Sequence, residues 1–287
     1  MDIVKLYDLF VKERHYLKNV SPHTLDWYKY SFKAFAPHLA VSDPQSLRPA
    51  LKSAVMALVE SNRQPSTIND YIRALNAFLH WASDDGHLPE LIRLDYLKEE
   101  QKIIQTFSDQ QIKLLLSWKP HTFAEHRMRV VICLLLDTGL RISEALAIRR
   151  DEVDLDNLLV TVRGKGGKHR ALPFSFEMRK LLFRWSQQHS FPLLFPSIHG
   201  CHVNLRNLLR DFKWLQNQLG ITGVRFSPHT FRHTFAVHYL RRGGNVFYLQ
   251  KLLGHSTLEM TNRYARSLGI ADLQAVHDKL SLLTRRG

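Results

Sequence analysis

The sequence predicts a mainly α-helical chain with one small antiparallel β-sheet, and three observations predict it. Apolar residues recur at three- and four-residue spacing over much of the chain, which gathers them on one helix face. Ser-Pro and Ser-x-x-Gln/Glu signals stand before several of these stretches, as at helix starts. One segment, "VDLDNLLVTVRGKGGKHRALPF", has β-rich stretches broken at Asp156-Asn157 and at Gly164–Gly167, as strands do around a glycine-rich turn.

The elements follow in order. "DIVKLYDLFVKERHYL" carries Ile3, Leu6, Tyr7, Phe10 and Val11 on one stripe. A second helix starts at Ser21 in "SPHTLDWYKYSF", turns Leu25, Tyr28, Phe32 and Phe35 to one side, and stops at Pro37. At such a start the Ser side chain caps free backbone N–H groups, and Pro fits because its missing N–H had no partner. A weaker third helix lies around "PALKSAVMALVESN". A fourth begins at Ser66 in "PSTINDYIRALNAFLHWAS", with Ile68, Tyr71, Ile72, Leu75, Phe78 and Leu79 inward, and ends near Asp84-Asp85-Gly86. Together they form a helical bundle over residues 1–98. The charged stretch 99–107 is expected as a linker. Ser108, with Gln111 three residues on, opens a second domain over 108–287 with a capping box. Helices resume after the β segment. The last is expected over 270–284, with Ile270, Leu273, Val276, Leu280 and Leu283 at helical spacing.

Length and composition bound the function. The 287 residues suffice for two domains, and 45% hydrophobic residues exclude a disordered chain. The longest apolar run, "VVICLLL" from Val130, is far too short to span a membrane, and "MDIVKLYDLF" has no signal-peptide pattern. The two cysteines make no disulfide framework; Cys133, inside the apolar run, reads as core. A reducing, cytoplasmic setting is expected. Forty Lys and Arg against 26 acids give a net charge of +14, which points to a polyanionic partner, nucleic acid before membrane.

Polar residues with chemical potential stand at element ends in the second half. "DTGLRISEAL" has Gly139 ending a buried helix, then Arg141, then Ser143 placed to cap the next. "RGKGGKHR" puts Lys165 on the hairpin turn. "SPHTFRH" places His229 and Arg232 three apart at a helix N-terminus, a position that favours an anion. "LLGHST" sets His255 after Gly254 and before a helix with Ser256 and Glu259 as capping box, which carries Tyr264. Singly, each has a plainer reading: a solvated Arg, a water-facing Lys, a structural His, an interface Tyr. "GKGGK" is no phosphate-binding P-loop, since no Gly-Lys-Ser/Thr follows. His229 and His233 form an H-x-x-x-H pair, but Thr230 stands where a zinc hydrolase needs Glu. Neither metal nor organic cofactor is expected.

Taken together, "TGLRISE", "GKGGKHRALP", "HTFRHTFA" and "LLGHSTLEMTNRY" resemble, in order and spacing, the conserved stretches of the tyrosine recombinases, the phage-integrase and Xer-type family. The first half resembles that family's helical core-binding (SAM-like) domain through "SPHTLDWYKYSFKAF" and "TINDYIRALNAFLHWA". The resemblance implies a C-shaped DNA clamp of that domain and an α+β catalytic domain. It implies a catalytic set of Arg141, Lys165, His229, Arg232, His255 and the nucleophile Tyr264. His23, in the first SPHT copy, has no counterpart in it. His233 fits the pattern and reads as a buried residue behind the site, His238 as core, and Lys168 as a rival to Lys165. Arg266 departs from the His many members carry there. The implied partners are double-stranded DNA recombination sites, held by a homotetramer whose C-terminal helices dock between protomers.

Elementary chemistry suits this set. Arginine is always protonated and its planar fork bonds phosphate bidentately, so Arg141 and Arg232 can hold a scissile phosphate. A phenol with a reference pKa of about 10 needs help losing its proton; His229 can accept it or act through hydrogen bonds. Lys165 can protonate the departing 5′-oxygen. Two guanidiniums supply the positive charge a metal would otherwise bring, and the 3′-phosphotyrosyl link that the resemblance implies would conserve the energy for resealing without ATP. A type IB-like topoisomerase and a DNA-binding protein without strand exchange are the competing readings.

Overall fold

The computed structural model describes residues 2–39, 44–100, 104–164, 167 and 169–280. The chain divides into two compact units, Met1–Lys102 and Ile103–Gly287.

The first unit consists of α1 (Ile3–Tyr16), α2 (Pro22–Phe35), α3 (Pro44–Glu60) and α4 (Pro65–Asp84). Asp2 and Ser21 cap α1 and α2 by accepting from Lys5 N and Thr24 N. The apolar stripes meet in an aromatic core where Tyr7 stacks on Phe32 with ring centroids 3.8 Å apart. The buried Tyr7 hydroxyl donates to Tyr28 O at 2.8 Å, which satisfies a group that would be costly unpaired. Helix α3 is longer than its sequence pattern suggests and runs through Pro49. A proline there forfeits one helical hydrogen bond, and the burial of Leu47, Leu51, Ala54 and Leu58 offsets the loss. After α4 the chain is irregular but stitched back onto it. The Asn76 amide exchanges two hydrogen bonds with Leu94 backbone, and the Asn69 amide two with Leu97.

The second unit begins with α5 (Asp109–Ser117), whose Ser108–Gln111 capping box is formed, then α6 (Phe123–Thr138) and α7 (Ile142–Ala147). The three-stranded antiparallel sheet follows, β1 (Val153–Asp154), β2 (Leu159–Arg163) and β3 (His169–Pro173), in the order β1-β2-β3. Val160, Val162 and Leu172 face the core. The helices α8 (Phe176–Ser186), α9 (Leu205–Gln218), α10 (Pro228–Arg241), α11 (Val246–Leu253), α12 (Glu259–Ala265) and α13 (Ile270–Leu280) complete it. Phe231 of α10 is fully buried among Phe107, Phe212 and Phe226. Phe107 N donates to Thr234 Oγ1 at 3.0 Å, so this residue of the charged stretch is a core member of the second unit. Helix α13 packs on α10 of its own chain, with an Arg241–Asp272 ion pair at 3.0 Å. Its Ile270 and Leu273 remain exposed, and residues 281–287 lie outside the described residues.

Several local expectations are corrected. Ser143 does not cap α7: Arg141 holds the N-cap position, two residues earlier. The Ser256–Glu259 capping box is absent. Leu258 precedes α12 in helical conformation without a side-chain cap, and Ser256 Oγ reaches Met260 Sδ at 3.7 Å instead. His238 is half-buried rather than core, lining a cavity of about 600 Å³ between α5, α6, α8 and α10. No helix among the described residues is long and apolar enough to cross a membrane.

Candidate active site

The site is built where four segment ends converge. Helix α6 terminates at Gly139 in the left-handed region, φ +66°, which glycine adopts without penalty. A Cβ at Gly139 would lie 2.3 Å from Phe235 Cδ1 and 2.9 Å from Leu253 Cδ2. Helix α11 ends likewise at Gly254, φ +62°, where a Cβ would meet the Arg170 guanidinium at 2.9 Å. These two close approaches set the carbonyls of Gly139 and Leu253 beside the basic residues.

Arg232, on the face of α10 turned to those carbonyls, is 4% exposed. It donates to Gly139 O and Leu253 O, each at 2.7 Å, and its Nη2 lies 3.0 Å from His255 Nε2. Guanidinium has no acceptor, so His255 Nε2 accepts. The ring proton therefore sits on Nδ1, which meets Thr261 Oγ1 at 2.9 Å. Burial, then the neighbouring Arg141, lowers the Arg232 pKa to about 10, which leaves it charged at neutral pH. Burial, Arg232 and Arg141 lower the His255 pKa to about 4, which keeps it neutral.

Arg141 leads into α7 and donates through Nη1 to Glu144 Oε1 at 3.0 Å and more weakly to Leu253 O at 3.4 Å. Its backbone N–H also donates to Glu144, at 3.0 Å. Arg170 of β3 closes on the same carboxylate with two bonds of 3.0 Å. Burial pushes the Glu144 pKa up, but the bonds from Arg170 and Arg141 outweigh it and hold the carboxylate below its usual value. Glu144 is thus shared between two arginines. Arg232 makes no ion pair among the described residues. A buried guanidinium without a counter-ion is costly, and a bound anion would relieve that cost.

Tyr264 of α12 is 2% exposed, and its hydroxyl lies 3.0 Å from His233 Nδ1. Its ring lies parallel to that of His255, centroids 6.2 Å apart. Burial raises its pKa, with Arg232 and Arg263 pulling the other way. The position of His233 is a correction: it stands in the site, on the phenol, rather than behind it. His229 is exposed on the first turn of α10, its ring centroid 6.4 Å from that of His233. Partial burial and the charges of Arg232, Arg225 and Arg141 lower its pKa. Lys165, with Gly166 and Lys168, lies outside the described residues, between strands paired as far as Arg163 and His169.

Arg141, Arg232, His255 and Tyr264 are thus brought together, with His229 at the edge. Glu144 and Arg170 join them and were not singled out in the sequence; His233, read there as lying behind the site, joins them too. Glu144 stands three residues after Arg141, and His233 four after His229, spacings that share a helix face. Arg170 carries no such local signal.

A helical chain whose buried tyrosine adjoins a guanidinium and two neutral imidazoles defines a tyrosine recombinase. The phage integrase family profile matches residues 105–269. The chain is 30% identical over 275 residues to tyrosine recombinase XerA of Thermococcus kodakarensis, covering 94% of this chain and 93% of that protein. It is 29% identical over 269 residues to XerC of Corynebacterium glutamicum, covering 90% and 86%. Its fold matches the Tn1549 transposon integrase in complex with transposon right end DNA, with a TM-score of 0.78, 21% identity, and coverage of 98% and 99%. The XerH recombinase bound to palindromic difH substrate matches with a TM-score of 0.73, 18% identity, and coverage of 93% and 82%. The chain belongs to the phage integrase family and is a site-specific DNA recombinase of the tyrosine class.

Proposed function

We propose that this recombinase cleaves and rejoins duplex DNA at specific sites through a 3′-phosphotyrosyl intermediate, exchanging strands by way of a Holliday junction. The buried Arg232 guanidinium, which makes no ion pair among the described residues, beside the buried Tyr264 hydroxyl carries this reading. A scissile phosphate supplies an anion in direct contact with it. Arg232 and Arg141 hold its non-bridging oxygens and stabilise the charge that builds there. Tyr264 attacks phosphorus as its phenolic proton passes to an imidazole of the site, and the 5′-oxygen leaves with a proton from Lys165. His255 aims Arg232 and packs on the Tyr264 ring; released from Arg232 with the proton moved to Nε2, it donates to the phosphate instead. His229, at the mouth, adds a further hydrogen bond. A 5′-hydroxyl from another strand then reverses the attack, releasing Tyr264. Needing neither ATP nor metal, the reaction runs at the nucleoid in the cytoplasm.

Strand exchange needs two sites, and a homotetramer on two duplexes meets that need. Helix α13, with Ile270 and Leu273 uncovered, is the element that docks between protomers. The +14 charge favours the phosphate backbone of the recombination sites. The test is incubation with a nicked duplex bearing the target site, found by footprinting. A denaturant-resistant adduct lost in Tyr264→Phe supports covalent strand transfer. Duplex binding without adduct would overturn it. Exchange between two sites supports recombination, and relaxation of supercoils alone would assign the chemistry to a topoisomerase.

A further inference from the structure

The site holds three imidazoles, and one reaches the nucleophile. His229 is exposed at the first turn of α10, and both ring nitrogens of His255 are engaged, by Arg232 and by Thr261. His233 Nδ1 lies 3.0 Å from Tyr264 Oη. We propose that His233, rather than His229, takes the proton from Tyr264 as the tyrosine attacks phosphorus, and returns it on resealing. This inference rests on the covalent mechanism proposed above.

The step balances. The Oη–phosphorus bond forms as the phenolic O–H breaks, and the proton passes to His233 Nδ1 to give imidazolium. The bond from phosphorus to the 5′-oxygen breaks, and that oxygen takes a proton from Lys165. In resealing, the incoming 5′-hydroxyl gives its proton to Lys165, and the departing phenolate recovers one from His233.

The surroundings keep His233 able to accept. His229 and Arg232 face it from α10, and Arg263 and Tyr264 from α12. Burial, then Arg263, His229 and Arg232, lower its pKa to about 4, so the ring is neutral at physiological pH and one nitrogen carries a free lone pair. Above that value its readiness to accept does not change with pH. The same environment makes the imidazolium transient, which suits an acceptor that must return the proton.

The test uses His233→Asn, whose side-chain amide can stay at the Nδ1 position and hydrogen-bond the phenol but cannot take its proton. Rates of adduct formation on a nicked duplex are compared with wild type between about pH 6 and about pH 9. General-base loss is expected to slow cleavage about 100-fold near pH 7. The ratio to wild type should then narrow by about tenfold per pH unit, because the phenolate fraction grows tenfold per unit below its pKa. His229→Asn should show a deficit that does not converge. A pH-independent deficit in His233→Asn would make His233 a positioning residue only, and a rate near wild type would remove it from the chemistry; either overturns the proposal, as does convergence in His229→Asn. Duplex binding reports folding. If His233→Asn fails to bind, His233→Ala assayed with free imidazole replaces it: recovery of cleavage with imidazole supports the proposal, and no recovery counts against it. Wild-type chain that binds its site and forms no adduct would instead overturn the covalent mechanism itself.

Discussion

Replacing Gly139 with alanine tests how the site is held. Two costs add. The left-handed backbone at φ +66° costs a residue with a Cβ about 1–2 kcal/mol. The new Cβ would also stand 2.3 Å from Phe235 Cδ1 and 2.9 Å from Leu253 Cδ2, and such overpacking costs about 1–3 kcal/mol. The sum is about 2–5 kcal/mol. Gly220 separates the terms, since it shares the conformation at φ +62° in the same unit but has nothing within 4 Å of a Cβ. Gly220→Ala should therefore lose only the backbone part, about 1–2 kcal/mol. Urea unfolding of both variants, followed through the tryptophans of the second unit, measures the difference. Because Leu253 must shift, and its carbonyl holds Arg232 and touches Arg141, Gly139→Ala should also slow adduct formation while duplex binding persists. If Gly139→Ala costs no more stability than Gly220→Ala and cleaves normally, the close approach does not position the arginines.

Other outcomes follow from the same geometry. Arg232→Lys puts a point charge where a fork spans two carbonyls and an imidazole, and cleavage should fall about 10²–10³-fold on a nicked duplex with binding retained. Glu144→Ala strands Arg141 and Arg170 and should destabilise the second unit by about 3–5 kcal/mol in urea; substitution of the exposed Glu177, which pairs with Lys180, should cost under about 1 kcal/mol. Stability should decline on acidification in two stages. His233 and His255 have pKa values of about 4, below the unfolded value of about 6.5. Their contribution is complete above about pH 6.5 and is lost toward pH 4 as the unfolded chain binds protons first. Glu144, also depressed, adds its loss below the unfolded carboxylate value of about 4.3. His255→Asn should flatten the upper stage of a pH series of urea midpoints, and an unchanged slope would contradict the assignment.

Much of the fold was legible because its signals are local. Ser21, Ser108 and Ser227 cap the helices they precede, each accepting from a backbone N–H three residues on. Interruption by Asp156-Asn157 and by glycines marked the strand ends of the sheet. The misreadings came where tertiary contacts overrode a local rule. Burial of Leu47 and Leu51 carries α3 through Pro49. At α12 the side chain of Ser256 turned to Met260, and a helix holding the buried Thr261 and Tyr264 formed without a cap. In the site, motif spelling located Arg141, Arg232, His255 and Tyr264. It put His229 in the set and His233 behind it; which imidazole meets the phenol depends on how α12 lies across α10, which no local signal carries. Arg170 was equally hidden, since its tie to Glu144 spans 26 residues of sequence.

Arg232 hangs on the carbonyls of residues 139 and 253. Every amino acid brings a carbonyl, so no substitution can delete these two acceptors. A saturation screen at position 253 would register bulk and greasiness alone, and give no sign that the buried cation is tethered there. The attachment is invisible to mutational scanning; swapping the amide that follows residue 253 for an ester, which weakens that oxygen as an acceptor, is the chemical edit that would expose it.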